Sequence, residues 1–300
     1  MRQFTAVVNP TAGGSRGAGS LLQLARLLRQ SGAELEVEYS RGLDHARETA
    51  RAAAADGRTV LAVGGDGMAG CVGGALAGTG ATFGLVPAGR GNDFARALGL
   101  PQDPAALADL LLHGEPVQVD AIEVESAVHQ RTVVLGSVYA GVDALANRHA
   151  NHSRVLRGAA SYYMGGFRAI ATWRAADFQV TVDGTVHQCR GYSVVAANSR
   201  FYGFGRAVAP EARLDDGLLD IVLIRDAPKP LFFAVMNELK DGTHIKRPQV
   251  EVLRGREVTI TANREIPYGA DGEVDAVLPV TARVLPGALN ILAKDGPHPG

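Results

Sequence analysis

The chain is poor in cysteine and aromatics, balanced in charge, and free of long apolar runs, and each shortage closes off a class of function. Its two cysteines, Cys71 and Cys189, are far apart and form no CxxC pair. That excludes a disulfide framework or a thiolate zinc site and fits a reducing compartment. Thirty Lys+Arg against 31 Asp+Glu give a formal net charge of -1. The basic excess of a duplex binder is missing, so no nucleic acid partner is expected. No stretch reaches the roughly 20 apolar residues of a membrane span. The most apolar window, Leu218 to Met236, is cut by Asp220, Arg225, Asp226, Lys229, Pro228 and Pro230. Met1 to Phe4 runs toward a strand pattern without the apolar core of a secretory signal. The expected location is cytoplasmic, at most peripheral at the inner membrane face. Two phosphate-loop patterns are missing as well. There is no GxxxxGK[ST], and no GxGxxG follows the first apolar run, whose turn reads Asn9-Pro10.

With 300 residues, 46% of them hydrophobic, the chain can build one large core or two medium ones. Through about residue 120, strand and helix signals alternate. Phe4–Val8, Glu34–Tyr39, Thr59–Val63 and Phe83–Val86 read as strands. Leu21–Leu28, an alanine-rich run capped by Asp44 and ended by Gly57, Ala69–Leu76, a short helix capped by Asn92 or Asp93, and a helix opened by Pro104 lie between or after them. Such alternation implies right-handed crossovers and a mostly parallel sheet. Beyond about 117 the texture changes. Val117–Glu125, Thr132–Tyr139, Phe178–Val182, Tyr192–Ala197, Leu218–Ile224, Val250–Leu253 and Val258–Thr261 read as strands, with a hairpin signal at Asp183-Gly184. Helices are expected near Tyr162–Thr172 and Leu231–Lys240, and a disordered tail from about Asp295. The fold class is therefore α/β: a Rossmann-like domain over 1–120 and an antiparallel β-rich, sandwich-like domain over 121–300. The last strand or tail of the second is expected to pack back on the first.

Three glycine-rich segments follow predicted strands: Asn9-Pro10-Thr11-Ala12-Gly13-Gly14, Gly64-Gly65-Asp66-Gly67-Met68 and Pro87-Ala88-Gly89-Arg90-Gly91-Asn92-Asp93. Each alone reads equally well as a tight turn. Together, at the carboxyl ends of strands in one open sheet, they converge on one crevice. Glycine lets backbone N–H groups approach phosphate oxygens closely.

These segments together resemble the diacylglycerol-kinase catalytic-domain family of lipid kinases, which includes sphingosine, ceramide and bacterial lipid kinases. NPTAGG resembles the family's opening, GGDG its nucleotide loop, and PAGRGNDFARALGL its P-x-GTGND-[FL]-AR segment. Gly205, Pro210-Glu211-Ala212, Asp216-Gly217-Leu218-Leu219-Asp220 and Asp271-Gly272-Glu273 continue the match in order, over nearly the whole chain. GGDG is shared with NAD kinases and phosphofructokinases; the GND-FAR segment with the later DG-LLD and DGE is specific.

The resemblance implies transfer of the γ-phosphoryl group of ATP to a lipid hydroxyl, with Mg2+. By it Asn9, Ser40, Gly64, Gly65, Asp66, Gly67, Met68, Gly89, Arg90 and Asn92 bind the nucleotide. Asp66 also serves catalysis through magnesium, and Glu273 is the general base, oriented by Asp271. Asp93 is read two ways, as part of the magnesium network or as a helix cap. The Asp216 carboxylate, with the carbonyls of Arg213 and Leu218, matches a structural Mg2+ or Ca2+ site; its plainer reading is a surface turn. The chain departs from the family at Met68, where a Thr is usual, at Gly70 and Cys71, where Asn and Glu are, and at Arg90, where GTGND has Thr. Arg90 reads as a phosphate contact or a solvated arginine. His149 and His152 have no third ligand nearby in sequence, so no metal pair is expected. Partners are ATP, a lipid alcohol at a membrane surface and, from base rates, a second copy. Two rivals are an NAD-kinase-like enzyme of the same broad fold and a non-catalytic nucleotide- or lipid-binding relative.

Overall fold

The computed structural model describes residues 2–10, 14–127, 131–151, 169–271 and 273–294, with backbone alone at 14–20, 150–151 and 273–275. The N-terminal part runs β1 (Gln3–Val8), α1 (Gly14–Gln30), β2 (Glu34–Tyr39), α2 (Leu43–Ala55), β3 (Thr59–Gly64), α3 (Asp66–Leu76), β4 (Thr82–Pro87), α4 (Asp93–Ala97) and α5 (Pro104–His113). Its strands pair in parallel in the order β2-β1-β3-β4. β1, β3 and β4 are almost wholly buried, as continuous apolar runs in a sheet covered on both faces should be. β2 alternates Glu with apolar residues and forms the edge. One face packs Leu24, Leu28, Leu107 and Leu111 of α1 and α5; the other packs the small residues of α2 and α3.

The antiparallel part runs β5 (Pro116–Ser126), β6 (Thr132–Val134), β7 (Ser137–Gly141), α6 (Val142–Asn151), β8 (Ala176–Val182), β9 (Thr185–Ala197), β10 (Phe201–Tyr202), β11 (Arg206–Ala207), β12 (Leu219–Arg225), α7 (Lys229–Glu238), β13 (Val250–Gly255), β14 (Glu257–Ala262), β15 (Pro267–Ala270), β16 (Glu273–Val277) and β17 (Val280–Leu292). Asp183 and Gly184, at φ 46° and 83°, turn β8 into β9, which agrees with the hairpin signal. β17 pairs antiparallel with β5 and β14, and parallel with β4, so both parts share one 15-stranded sheet.

Several sequence expectations need correction. Asp44 does not cap α2; Gly42 holds that position and Asp44 pairs with Arg47 at 2.7 Å. Neither Asn92 nor Asp93 caps α4 with its side chain, because both are engaged elsewhere. Thr132–Tyr139 is two strands, broken at Leu135-Gly136. The proposed helix at 162–172 lies outside the described residues up to 168, as do His152 and the tail from Asp295; 169–172 is helical. No helix among the described residues is long and apolar enough to cross a membrane.

Candidate active site

Parallel strands end at one edge of their sheet, so the loops after β1, β3 and β4 lie side by side. Backbone hydrogen bonds tie them in series: Asn9 N donates to Val63 O at 3.0 Å, and Ala88 N to Gly64 O at 2.8 Å. Ser40, buried at the end of β2, joins the row through its N–H to Val8 O at 2.8 Å. The second and third loops touch through bare backbone; a Cβ on Gly65 would sit 3.2 Å from Gly89 Cα. Asn92, at φ 53°, accepts from Gly89 N at 2.9 Å and donates to Gly89 O at 3.0 Å. It folds the third loop on itself, which is why it leaves α4 uncapped. Met68 is buried beneath the second loop, its Cβ 2.7 Å from where a side chain on Gly64 would begin. Its side chain thus packs in the core. Gly67 and Arg90 are exposed. Arg90, Gly91 and Asn92 also line a cavity of about 330 Å³ with Leu24, Arg96 and Leu107.

Three carboxylates gather beside these loops. Asp66, in the first turn of α3, accepts the Phe94 N–H through Oδ1 at 3.0 Å. A Cβ on Gly91 would lie 3.0 Å from Asp66 Oδ2 and 3.5 Å from Asp93 Oδ2, so the missing side chain at 91 lets both carboxylates lie close against the third loop. Asp93 reaches the antiparallel part, accepting from Phe204 N at 3.0 Å and Gly205 N at 2.5 Å. Burial, then the Asp66 charge, raises its pKa. Asp271, at φ 45° after β15, accepts from Leu135 N, Gly136 N and Ser137 N at 2.6, 2.8 and 3.1 Å. Taking those donors is what splits β6 from β7. Burial pushes Asp271 up to about 6 against the pull of the three amides, and the Asp66 charge adds to the rise. A Cβ on Gly70 would meet Asp271 Oδ2 at 3.1 Å, so the small residue at 70 lets α3 approach this carboxylate. Glu273 opens β16, its backbone opposite Ala270; its side chain and Gly272 lie outside the described residues.

Asp66 Oδ2 and Asp93 Oδ2 suit a hard divalent cation that keeps waters and phosphate oxygens as its other ligands. Among the described residues no three His, Cys, Asp or Glu form a complete cage. Arg213, Asp216 and Leu218 lie apart from this cluster and fit a resident cation poorly. Asp216 Oδ2 is ion-paired with Arg254, and its Oδ1 accepts the Leu218 N–H at 3.1 Å. Arg254 also reaches Asp220 at 3.5 Å. The guanidinium supplies the positive charge there.

Two residues that the sequence reading missed hold the parts together. Buried Asp120 accepts from Gly217 N at 2.7 Å and Gly287 N at 2.8 Å. Asn198 donates to Asp120 O at 3.0 Å and Leu135 O at 2.9 Å, bracing the strand break that Asp271 occupies. Both act on backbone far away in the chain, and neither belongs to a local pattern.

Comparison with known proteins matches residues 3–124 to the diacylglycerol kinase catalytic domain and residues 136–293 to the YegS C-terminal NAD kinase beta sandwich-like domain. A diacylglycerol kinase of Mycobacterium tuberculosis is 31% identical over 97% of this chain and 94% of its own length. One of Bacillus subtilis is 25% identical over 93% and 92%. A crystal structure of a diacylglycerol kinase from Bacillus anthracis superposes with a TM-score of 0.70 at 20% identity, covering 98% of this chain and 97% of the other, a likeness of fold.

Proposed function

This chain belongs to the diacylglycerol kinase family and is a lipid kinase; we propose that it moves the γ-phosphoryl group of ATP to the hydroxyl of diacylglycerol or a similar lipid alcohol, with Glu273 as general base. The observation that carries the reading is the convergence of Asp66 and Asp93 over Gly91, beside two glycine loops in backbone contact.

In this reading the amides of Gly64 to Gly67 receive the nucleotide phosphates and Gly89, whose N–H Asn92 holds, keeps the third loop close to them, with Asn9 and Ser40 flanking the nucleotide and Arg90 at the rim. Met68 contributes through packing. Asp66 and Asp93 would hold magnesium, which would neutralise phosphate charge there. The lipid oxygen attacks the γ-phosphorus, the bond to the bridging oxygen of ADP breaks, and Glu273 takes the hydroxyl proton. Asp271 anchors the turn that carries Glu273, through the three amides of the β6–β7 break. Residues 1–120 serve the nucleotide and 121–300 the lipid, so the two substrates meet between them. No cation is assigned to Arg213, Asp216 and Leu218.

The test is transfer of labelled γ-phosphate from MgATP to a panel of lipid alcohols in mixed micelles. A labelled lipid, reduced about 10²–10⁴-fold by Glu273→Gln, is the expected result. ATP binding without transfer to any lipid would overturn it.

A further inference from the structure

Arg200 forms no ion pair among the described residues. Its Nε is buried without a hydrogen-bond acceptor. Its guanidinium lies 5.5 Å from the Phe201 ring centroid, and the Arg96 guanidinium lies 6.0 Å from the same ring. Gly205 makes room for Arg96: a Cβ there would fall 3.0 Å from Arg96 Nε. Among the described residues neither arginine forms an ion pair or donates a side-chain hydrogen bond. The backbone just before Arg200 joins the segment that holds Asp271, and the Arg96 charge lowers the pKa of Asp93. Asn198 N and Ser199 N donate to Gly136 O at 2.9 and 3.1 Å, and Gly136 N donates to Asp271 at 2.8 Å. Arg96 lies on α4, three residues after Asp93. A guanidinium stacked on an aromatic ring keeps its edge donors free for a planar, anionic acceptor. A buried donor without a partner is costly until such an acceptor arrives.

We propose that Arg200 is a phosphate-binding residue of the transfer site, taking the oxygens of the phosphoryl group passed from nucleotide to lipid, and that Arg96 positions it by holding Phe201. The proposal rests on the kinase reading. The phosphate chemistry is shared by two sources, the γ-phosphate of ATP and the monoester of the lipid product.

Arg200→Gln and Arg200→Lys are compared with wild type for kcat, for ATP and ADP binding by calorimetry, and for binding of phosphatidic acid in mixed micelles. Arg200→Gln is expected to lower kcat about 10²-fold, with Lys recovering part of it. A roughly tenfold loss of ATP affinity with ADP unchanged identifies the γ-phosphate as the contact; a similar loss for phosphatidic acid alone identifies the product. The proposal fails if both binding measurements stay within about twofold of wild type, or if ATP and ADP weaken equally, as a merely structural role would make them. A wild type that transfers no phosphate sinks the kinase reading, while the ATP-to-ADP affinity ratio and phosphatidic acid binding still decide on Arg200.

Discussion

Asp216 and Asp220 share one guanidinium, that of Arg254, whereas Asp66, Asp93 and Asp271 form no ion pair among the described residues. Both groups bring carboxylates together, which repel unless something positive intervenes. In the first the chain supplies the charge itself, and the group closes a loop onto β13. In the second the negative charge is met mainly by amide N–H groups, with the Arg96 charge acting on Asp93 without an ion pair, and Asp66 raises the pKa of both neighbours. A cluster without an ion pair of its own beside glycine loops is suited to a cation that arrives with its substrate.

The most forceful way to break this contrast is Asp66→Asn. Removing the charge that faces Gly91 should cut phosphate transfer about 10²–10³-fold while leaving Tm near that of wild type, as read by transfer assay and calorimetry. Equal activity would mean that the open cluster is no cation site.

A second effect is carried by pH. Asp271 and Asp220 both stand at about 6 in the folded protein, well above the usual carboxylate value near 4. Because the folded value is raised, the stability that these groups contribute is full below about pH 4 and is lost as pH rises through about 6. Activity should run the other way. Protonating Asp271 loosens its hold on the β6–β7 amides, so kcat/KM should fall about tenfold per pH unit below 6. Asp271→Asn should abolish that acid limb and leave a lower, flatter profile.

The smallest effect belongs to the closed group. Arg254→Met leaves Asp216 and buried Asp220 unpaired, but Arg254 is about half exposed, so the loss should be modest, a Tm decrease of about 1–2 °C. Millimolar calcium or magnesium should restore part of it, and chelation should leave the wild-type Tm unchanged. A wild type that loses Tm on chelation would put a metal where Arg254 now stands.

The legible parts of this molecule were those encoded locally. The apolar runs of β1, β3 and β4, the Asp183-Gly184 turn and the three glycine segments each announce themselves within a dozen residues. What escaped depends on contacts across the chain. Thr132–Tyr139 has the composition of one strand, and only Asp271, more than 130 residues later, takes the amides that divide it. Asp93 at a strand-to-helix junction reads as a cap or a magnesium residue, and neither reading includes its bonds to Phe204 and Gly205. The length of β17 is masked by Pro286-Gly287, a turn signal that the structure absorbs as a bulge with Gly287 at φ 57°. Nothing in the sequence around Arg254 announces its partners.

That last strand also sets an order of events. Asn290 and Ile291 pair with Thr82 and Phe83, closing an edge of β4 that was synthesised about 200 residues earlier. At roughly 5–20 residues per second, a ribosome leaves that edge open for about 10–40 s. During this interval the nascent N-terminal part offers an unpaired strand to any neighbour. A fragment stopped near residue 124 would carry the same open edge permanently. It should need a β17 peptide, or a chaperone, to stay monomeric.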